Sequence, residues 1–305
     1  DAGRHHGDPV SILGWLSKRG GDPDLADRTF VDLAYRFLLG READEHGREH
    51  FLERLGKGAI SRDPFLRVLI DSREFAETRL HSDLSTSLHE SRGRFVRGLP
   101  RARRIVDVGG GCQGSRRGAM VEMGYPYPFE RLTIVELPSA ERHELYQTKS
   151  DEAGTVETEL GPVDYLYQSM TNLQPIPDAS VDLVYSGQSI EHVSRADAAQ
   201  TYDEVRRVLR PGGVFALDTP NARITRLQQD DFVDPDHKHE YTHRELSADL
   251  AAAGYEIVQA AGLNHAGPIR TREEFSRGEI ARRCGVFAEI EDCYVLAYVC
   301  RKPDP

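Results

Sequence analysis

The sequence predicts an α/β protein in which a mainly parallel sheet, with helices on both faces, follows an all-helical N-terminal region. Two observations lead to this prediction. Apolar residues recur at helical spacing in the first third of the chain, whereas short β-branched runs alternate with amphipathic stretches in the rest. The expected organisation is an extension over 1–24, a helical domain over 25–82, a linker helix over 83–100 and a larger domain over 101–305.

The N-terminal region reads as three helices. The helix that ends near Gly40 carries one apolar stripe, formed by Phe30, Leu33, Ala34, Phe37 and Leu38. A second helix is expected around Phe51, and a third begins near Ser61 with Pro64 in its first turn. The strings LLGREADEHG and LIDSREF resemble a small helical domain of unknown function, found in bacterial proteins concerned with surfaces and polysaccharides. A helical bundle that packs on an enzyme or shapes substrate access is the expectation.

The larger domain alternates strands and helices. Since right-handed crossovers bring the loops after parallel strands to one edge of the sheet, a ligand is expected at that edge. The last two strands enclose a long insert near 263–290 that is expected to face the substrate or act as a lid. Strands are predicted over 105–108, 132–135, 163–167, 181–185, 214–217, 255–260 and 294–300, with helices over 116–123, 139–148 and 195–209.

Composition limits the classes of function. The chain has 305 residues, with 39 basic and 50 acidic side chains and a net charge of −11, which disfavours nucleic acid as a partner. No apolar run is long enough to span a membrane, and Asp1 to Pro9 show no signal-peptide pattern, so a cytoplasmic location is expected. The four cysteines form no CxxC pair, which predicts neither a zinc knuckle nor a disulfide framework.

A glycine turn follows the first predicted strand in the string RIVDVGGGCQGS. Gly109, Gly110 and Gly111 allow a ligand to approach the backbone closely. The string lacks the GxGxxG spacing of a dinucleotide fold and the GK[ST] ending of a phosphate loop. Glu136 ends the next strand, where an acidic side chain can accept both hydroxyls of a ribose.

These motifs, together with LQPIPDASVDLVYSGQSIEHV and VRRVLRPGGVFALDTPN, resemble the class I S-adenosylmethionine methyltransferases over most of 101–305. The resemblance implies a Rossmann-like seven-stranded methyltransferase sheet and S-adenosylmethionine as cofactor. The glycine loop would cradle the methionine part, Asp107 would steady that loop, and Ser169 and Met170 stand where an acidic residue usually meets the adenine. The implied cofactor-binding residues are Asp107, Gly109, Gly110, Gly111, Glu136, Ser169, Met170 and Ser186.

A metal site is predicted from QSIEHV and DHKHEYT. The i, i+3, i+4 spacing places Gln188, Glu191 and His192 on one face of a helical turn, and His237 follows in the second string. This set resembles metal-dependent O-methyltransferases with a Glu-x-x-Glu-His motif, among them small-RNA 2′-O-methyltransferases and quinone-biosynthesis enzymes, and departs from them at Gln188. The expected metal is Mg²⁺ or Mn²⁺. Two alternatives stay open: a metal-free site with His192 or His237 as general base, and a structural role.

A sugar or oligosaccharide hydroxyl is the favoured acceptor. The chain resembles actinobacterial sugar O-methyltransferases, including those that methylate mannosides in polysaccharide biosynthesis, and adjacent hydroxyls suit a chelating metal. The insert adds Arg270, Arg272 and Phe287, which suit a polar ring. The alternatives are an RNA 2′-O-methyltransferase, an enzyme for a phenol or antibiotic, and a cofactor-binding module without activity. The acceptor and the oligomeric state are left open.

Overall fold

The computed structural model describes residues 23–39, 41–112, 114–143, 152 and 154–304. Two compact units divide the chain, Asp1–Asp83 and Leu84–Pro305. The predicted C-cap at Gly40 and the second half of the predicted helix over 139–148 lie outside the described residues. No helix within the described ranges is long and apolar enough to cross a membrane.

The first unit is helical. Its core joins the rings of Phe30 and Phe51 to that of Phe65, with ring centroids 5.6 and 4.6 Å apart. The predicted stripe is wrong at Phe37, which is 70% exposed, because a π-helical turn over Tyr35–Leu39 shifts the phase of the helix. The helices that begin in this unit are α1 (Pro23–Ala34), α2 (Glu45–Gly56), α3 (Arg62–Ile70) and α4 (Arg73–Arg97).

A nine-stranded sheet organises the second unit, in the order β3-β4-β2-β1-β5-β6-β9-β7-β8. The run from β4 to β6 is parallel, and β9 is antiparallel to it. β7 is antiparallel to β9 and therefore runs in the same direction as the parallel strands. The predicted α/β fold with a seven-stranded sheet is confirmed, extended by two short edge strands, β3 and β8. The strands are β1 (Arg104–Val108), β2 (Arg131–Glu136), β3 (Val156–Thr158), β4 (Gly161–Tyr167), β5 (Val181–Gly187), β6 (Leu209–Pro220), β7 (Glu256–His265), β8 (Val286–Phe287) and β9 (Cys293–Arg301).

The central strands are buried on both faces. Ile105 and Val106 are neighbours on β1, yet they belong to different hydrophobic clusters, and so do Leu183 and Val184 on β5. Successive side chains of a strand point to opposite faces, so a strand covered on both sides must be apolar throughout. This requirement explains why the central strands could be recognised as short β-branched runs.

Helices of the second unit are shorter than predicted near the glycine loop. The helix expected over 116–123 spans four residues, because Gly118 at its N-cap and Gly124 after it both have positive φ angles. The helix expected over 195–209 begins after Ser194, whose hydroxyl accepts from the Asp197 amide. The helices are α5 (Ala119–Glu122), α6 (Arg195–Val208), α7 (Ala222–Gln228), α8 (His243–Ala252) and α9 (Arg277–Arg282).

The insert between β7 and β9 packs into the core of the second unit. Ile269 and Ile280 are buried, and Asn264 Nδ2 donates to Ser87 Oγ on α4 over 2.6 Å. The Gly285 amide donates to Ser91 Oγ over 2.9 Å. Since none of residues 263–290 lines the cavity described below, this packing does not support the predicted substrate-facing lid.

Candidate functional site

A cavity of about 480 Å³ opens where several parallel strands end. Gln168 and Met170 follow β4, Glu136 ends β2, and the glycine loop follows β1. The segment that begins at Gly187 follows β5 and completes the edge. The sheet order therefore brings together side chains that lie far apart in the sequence.

Each glycine of the loop leaves room for a neighbouring polar group. A Cβ atom at Gly109 would overlap the hydroxyl of Ser189, one at Gly110 the carboxylate of Asp107, and one at Gly111 the carboxylate of Glu136. Gly109 also has a φ of +75°, which side chains rarely adopt. Gly109 is therefore required for both its space and its backbone angle, whereas a side chain at Gly110 or Gly111 would displace the carboxylate of Asp107 or Glu136.

Asp107 is buried beneath the glycine loop. One carboxylate oxygen accepts from the Met120 amide on α5 over 3.3 Å, and Oδ1 accepts no hydrogen bond from the described residues. Burial raises the pKa of Asp107 to about 7, against the opposing effect of the Met120 hydrogen bond. Asp107 thus ties the end of β1 to the start of α5.

Glu136 lies across the loop from Asp107 and lines the cavity. Its Oε1 accepts from the Leu137 amide over 3.2 Å, and Arg142 Nε is 4.0 Å from the same oxygen. Arg142 is itself buried, with its guanidinium 5.9 Å from the centroid of the Tyr167 ring. Glu136 is held in place at the position where the sequence predicted a ribose contact.

Four of the predicted cofactor residues do not line the cavity: Asp107 and Gly110, which belong to β1 and the glycine loop, and Ser169 and Ser186. Ser169 turns its hydroxyl to that of Thr171, 2.8 Å away, and the neighbouring Gln168 and Met170 line the cavity. Ser186 is buried within the sheet, in register with Val108, and its Oγ has no partner among the described residues. The sequence pattern placed both serines near the correct strand ends. It could not predict the direction of each side chain, because that direction depends on the local backbone.

Glu191, His192 and His237 form a cluster beside the glycine loop. Their ligand atoms all lie within 4.8 Å of one another. Glu191 is fully buried, its Oε2 accepts from Thr219 Oγ1 over 2.9 Å, and Oε1 has no partner among the described residues. Burial raises the pKa of Glu191 to about 7, and the charge of His237 opposes this shift. A bare carboxylate oxygen in a buried position is costly unless another group satisfies it.

Both histidines of the cluster turn Nδ1 towards a carboxylate. His192 Nδ1 is 3.0 Å from Asp236 Oδ2, and His237 Nδ1 is 2.7 Å from Glu240 Oε1. A carboxylate at Nδ1 fixes the orientation of the ring and makes Nε2 the nitrogen that would act as a ligand or base, the arrangement common in metal sites. Burial lowers the pKa of His192. It also acts to lower the pKa of His237, but Glu240 and Glu191 outweigh it and raise that pKa.

The loop that carries His237 is fixed from two sides. The amides of Lys238 and His239 both donate to the Glu191 carbonyl, over 2.7 and 3.1 Å. Glu240 is 2% exposed and accepts from the Thr225 hydroxyl and, over 3.0 Å, from the Val233 amide. These bonds connect a segment more than forty residues downstream to the turn after β5.

Gln188, the fourth predicted metal ligand, is directed elsewhere. Its φ of +53° turns the side chain so that Nε2 donates to Asp218 Oδ1 over 2.9 Å. The prediction of Gln188 as a ligand is therefore not supported by the structure, because the left-handed backbone removes this residue from the face it would share with Glu191. The sequence also gave no indication that His89 and Arg92 of α4 would line the cavity.

Comparisons with known families agree with this geometry. Residues 106–217 match the family described as a methyltransferase domain. Residues 17–79 match a domain of unknown function, DUF4214. The second match agrees with the resemblance noted for the helical region and assigns no chemistry to it.

Relatives of known sequence or structure point the same way. A protein of Mycolicibacterium smegmatis, described as a probable S-adenosylmethionine-dependent methyltransferase, is 42% identical over 103 residues, 34% of this chain and 39% of the relative. Dimethylglycine N-methyltransferase from Parasynechococcus marenigrum is 31% identical over 124 residues, 41% of this chain and 40% of that protein. The chain thus spans about two fifths of each of these relatives.

A solved structure shares the fold. The crystal structure of a SAM dependent methyltransferase from Archaeoglobus fulgidus covers 76% of this chain and all of its own, with 15% identity and a TM-score of 0.50. This likeness shows the fold, and the family match gives residues 106–217 the sequence of a methyltransferase domain.

Proposed function

We propose that the protein is an S-adenosylmethionine-dependent O-methyltransferase that methylates a sugar or oligosaccharide hydroxyl, with a mannoside as the first candidate. A divalent cation, Mg²⁺ or Mn²⁺, assists the reaction at Glu191, His192 and His237. One observation carries the proposal: these three side chains converge within 4.8 Å in the wall of the same cavity as the glycine loop.

The donor set fits a divalent cation. Glu191 offers a buried oxygen without a partner among the described residues, and the carboxylates that face His192 and His237 lie at Nδ1, on the opposite side of each ring from Nε2. Because imidazole suits transition metals better than it suits Mg²⁺, tighter binding of Mn²⁺ is expected. When bound, such a cation supplies positive charge that lowers the pKa of a nearby hydroxyl.

Methyl transfer requires little from the protein beyond alignment and proton removal. The acceptor oxygen forms a bond to the methyl carbon as the carbon–sulfur bond breaks, and the electron pair stays on sulfur in S-adenosylhomocysteine. The glycine loop and Glu136 hold the cofactor, and alignment of the two reacting atoms supplies much of the rate. Since Nδ1 of His192 faces Asp236 and Nε2 would hold the cation, His192 would not act as base in this reaction, and the hydroxyl proton, made more acidic by the cation, would pass to solvent water.

The rim of the site favours an uncharged acceptor ring. Phe232 is 40% exposed, with its ring centroid 6.4 Å from that of His237, and offers an apolar face beside the cluster. The surrounding loop carries Asp230, Asp231 and Asp234. Asp230 is paired with Arg272, and the further negative charge of Asp231 and Asp234 disfavours a phosphate backbone, which supports a sugar over RNA as acceptor.

A metal-free reaction is the second candidate. The Asp236–His192 pair, at 3.0 Å, has the geometry of a histidine base oriented by a carboxylate. Here His192 alone would take the proton, and Glu191 would serve to position the turn after β5.

The test is methyl transfer from labelled S-adenosylmethionine to mannosides, other sugars, a phenol and a short RNA, each with Mn²⁺, Mg²⁺ or EDTA. Transfer to a sugar that EDTA abolishes is the expected result. Transfer that persists in EDTA would favour the metal-free reaction. Labelling of RNA or of the phenol alone would overturn the proposed acceptor.

A further inference from the structure

A buried arginine lies in the wall of the cofactor cavity and has no part in the function proposed above. Arg92 belongs to the second half of α4, within the second compact unit, and its side chain is 17% exposed. It lines the same cavity as Gly109, Gly111 and Glu136.

The guanidinium of Arg92 is held from one side. Its Nε donates to Asp218 Oδ1 over 2.8 Å, and Nη2 lies 3.5 Å from the hydroxyl of Tyr185. The Tyr185 hydroxyl and the Gln188 amide also donate to Asp218, so both oxygens of this fully buried carboxylate are engaged. Nη1 of Arg92 has no partner among the described residues. The position of the guanidinium is thus fixed while part of its donor edge is unused.

The backbone beside Arg92 leaves room for this arrangement. A Cβ atom at Gly187 would be 2.5 Å from Arg92 Nη2 and would also overlap the Tyr185 hydroxyl. Any larger residue at the end of β5 would displace the guanidinium. Gly187, Tyr185 and Asp218 together therefore hold the guanidinium of Arg92 in one position.

The sheet order determines which end of the cofactor lies near Arg92. Along the ligand-binding edge, the order is β4 with Met170, β2 with Glu136, β1 with the glycine loop, and β5 with Gly187. S-adenosylmethionine is an extended molecule with adenine, ribose and amino-acid groups in that order. If Glu136 takes the ribose and Met170 is on the adenine side, the amino-acid end must extend towards β5 and Arg92.

We propose that Arg92 binds the methionine carboxylate of S-adenosylmethionine, with Asp218, Tyr185 and Gly187 holding its guanidinium in place. This inference rests on the proposed use of that cofactor. The planar guanidinium has two usable edges, so one can bind Asp218 while the other binds the cofactor. Lysine would keep the charge but could not supply both edges.

The experiment measures binding of two ligands by titration calorimetry. S-adenosylhomocysteine carries the amino-acid group, whereas 5′-methylthioadenosine has the same nucleoside and sulfur without it. Arg92→Lys should lower the affinity for S-adenosylhomocysteine by about 10- to 100-fold, the loss expected for a charge-assisted hydrogen bond. Its affinity for 5′-methylthioadenosine should not change. Arg94→Lys, on the same helix and paired with Glu90 outside the cavity, is the matched control and should leave both affinities unchanged.

A second variant guards against loss of folding. Removing Arg92 alone would leave the buried Asp218 carboxylate without its charged partner, whereas the double substitution Arg92→Met with Asp218→Asn removes both charges. This double variant should also lose affinity for S-adenosylhomocysteine alone. An equal loss of affinity for the two ligands, or no loss for either, would overturn the assignment of Arg92. If the wild-type protein binds neither ligand, the proposed function itself fails, and this result is distinct from failure of the arginine assignment.

Discussion

The parts of the cavity that we propose bind the cofactor and the acceptor, here the cofactor half and the acceptor half, are built in different ways. The cofactor half rests on backbone geometry, since Gly109 to Gly111 are consecutive and their close neighbours end adjacent strands. The acceptor half is assembled from side chains on segments far apart in the sequence, with Glu191 after β5, Thr219 on β6 and His237 in a loop. The cofactor half therefore depends on the absence of side chains, and the acceptor half on their exact identity.

This difference determines how each half should respond to substitution. Adding a methyl group should damage the cofactor half, whereas an isosteric change of charge should damage the acceptor half. Changes in one half should leave binding at the other intact, because no hydrogen bond links the glycine loop directly to the Glu191 carboxylate in the described residues.

The largest effect is expected for Glu191→Gln. This change keeps the shape of the side chain but removes the buried negative charge, so methyl transfer should fall by at least about 100-fold. Binding of S-adenosylhomocysteine by calorimetry should stay within the error of the wild type. Glu130→Gln, an exposed site paired with Arg103, is the control and should have normal activity. A parallel loss of cofactor affinity in Glu191→Gln would show that the halves are not independent.

Gly111→Ala tests the opposite half. The added Cβ would overlap the Glu136 carboxylate, so affinity for S-adenosylhomocysteine should fall by about 10- to 100-fold, the loss of a charge-assisted contact. Binding of Mn²⁺, followed by electron paramagnetic resonance, should be unchanged. Gly56→Ala, where a Cβ would meet nothing within 4 Å, serves as the control. Normal cofactor affinity in Gly111→Ala would contradict the steric explanation of the loop.

Glu240→Gln should have a smaller effect within the acceptor half. Glu240 orients His237 through Nδ1, and loss of such a partner lowers metal affinity by about 10-fold. The same resonance titration with Mn²⁺ measures the change, alongside a thermal melt to exclude unfolding. Glu256→Gln on β7, an exposed residue 3.9 Å from Arg301, provides the comparison. Unaltered Mn²⁺ affinity would mean that Glu240 only anchors the loop.

The smallest effect concerns pH. The folded-state pKa of Asp107 is about 7, whereas an unfolded aspartate has a pKa of about 4. Between these values the folded protein keeps a proton that the unfolded chain loses, so this group makes stability fall as pH rises from 4 to 7. In urea unfolding without cofactor, Asp107→Asn should reduce the difference in unfolding free energy between about pH 5 and about pH 8. An unchanged difference would assign the pH dependence to other groups, Glu191 among them.

Prediction from the sequence was most accurate where a pattern is local. The strands at 105–108 and 181–185 followed from β-branched runs, and the glycine loop from its own letters. It was least accurate where a side chain depends on one backbone angle or one turn. Gln188 turned away through a positive φ, and Phe37 was exposed by a π-helical turn. Ser169 does not line the cavity, although Gln168 and Met170 do, because the local turn directs its hydroxyl to that of Thr171.

The sequence by itself determined the parallel sheet, its order of strands and helices, the glycine loop and the acidic end of β2. These features arise from short-range patterns, because the type of each residue indicates whether it is buried and which backbone angles it can adopt. Only the tertiary structure decided that Glu191, His192 and His237 share one cluster while Gln188 does not, and that Arg92 reaches the cofactor cavity. The reason is physical: these contacts depend on the packing of distant segments, and side-chain direction at that distance is not encoded by spacing along the chain.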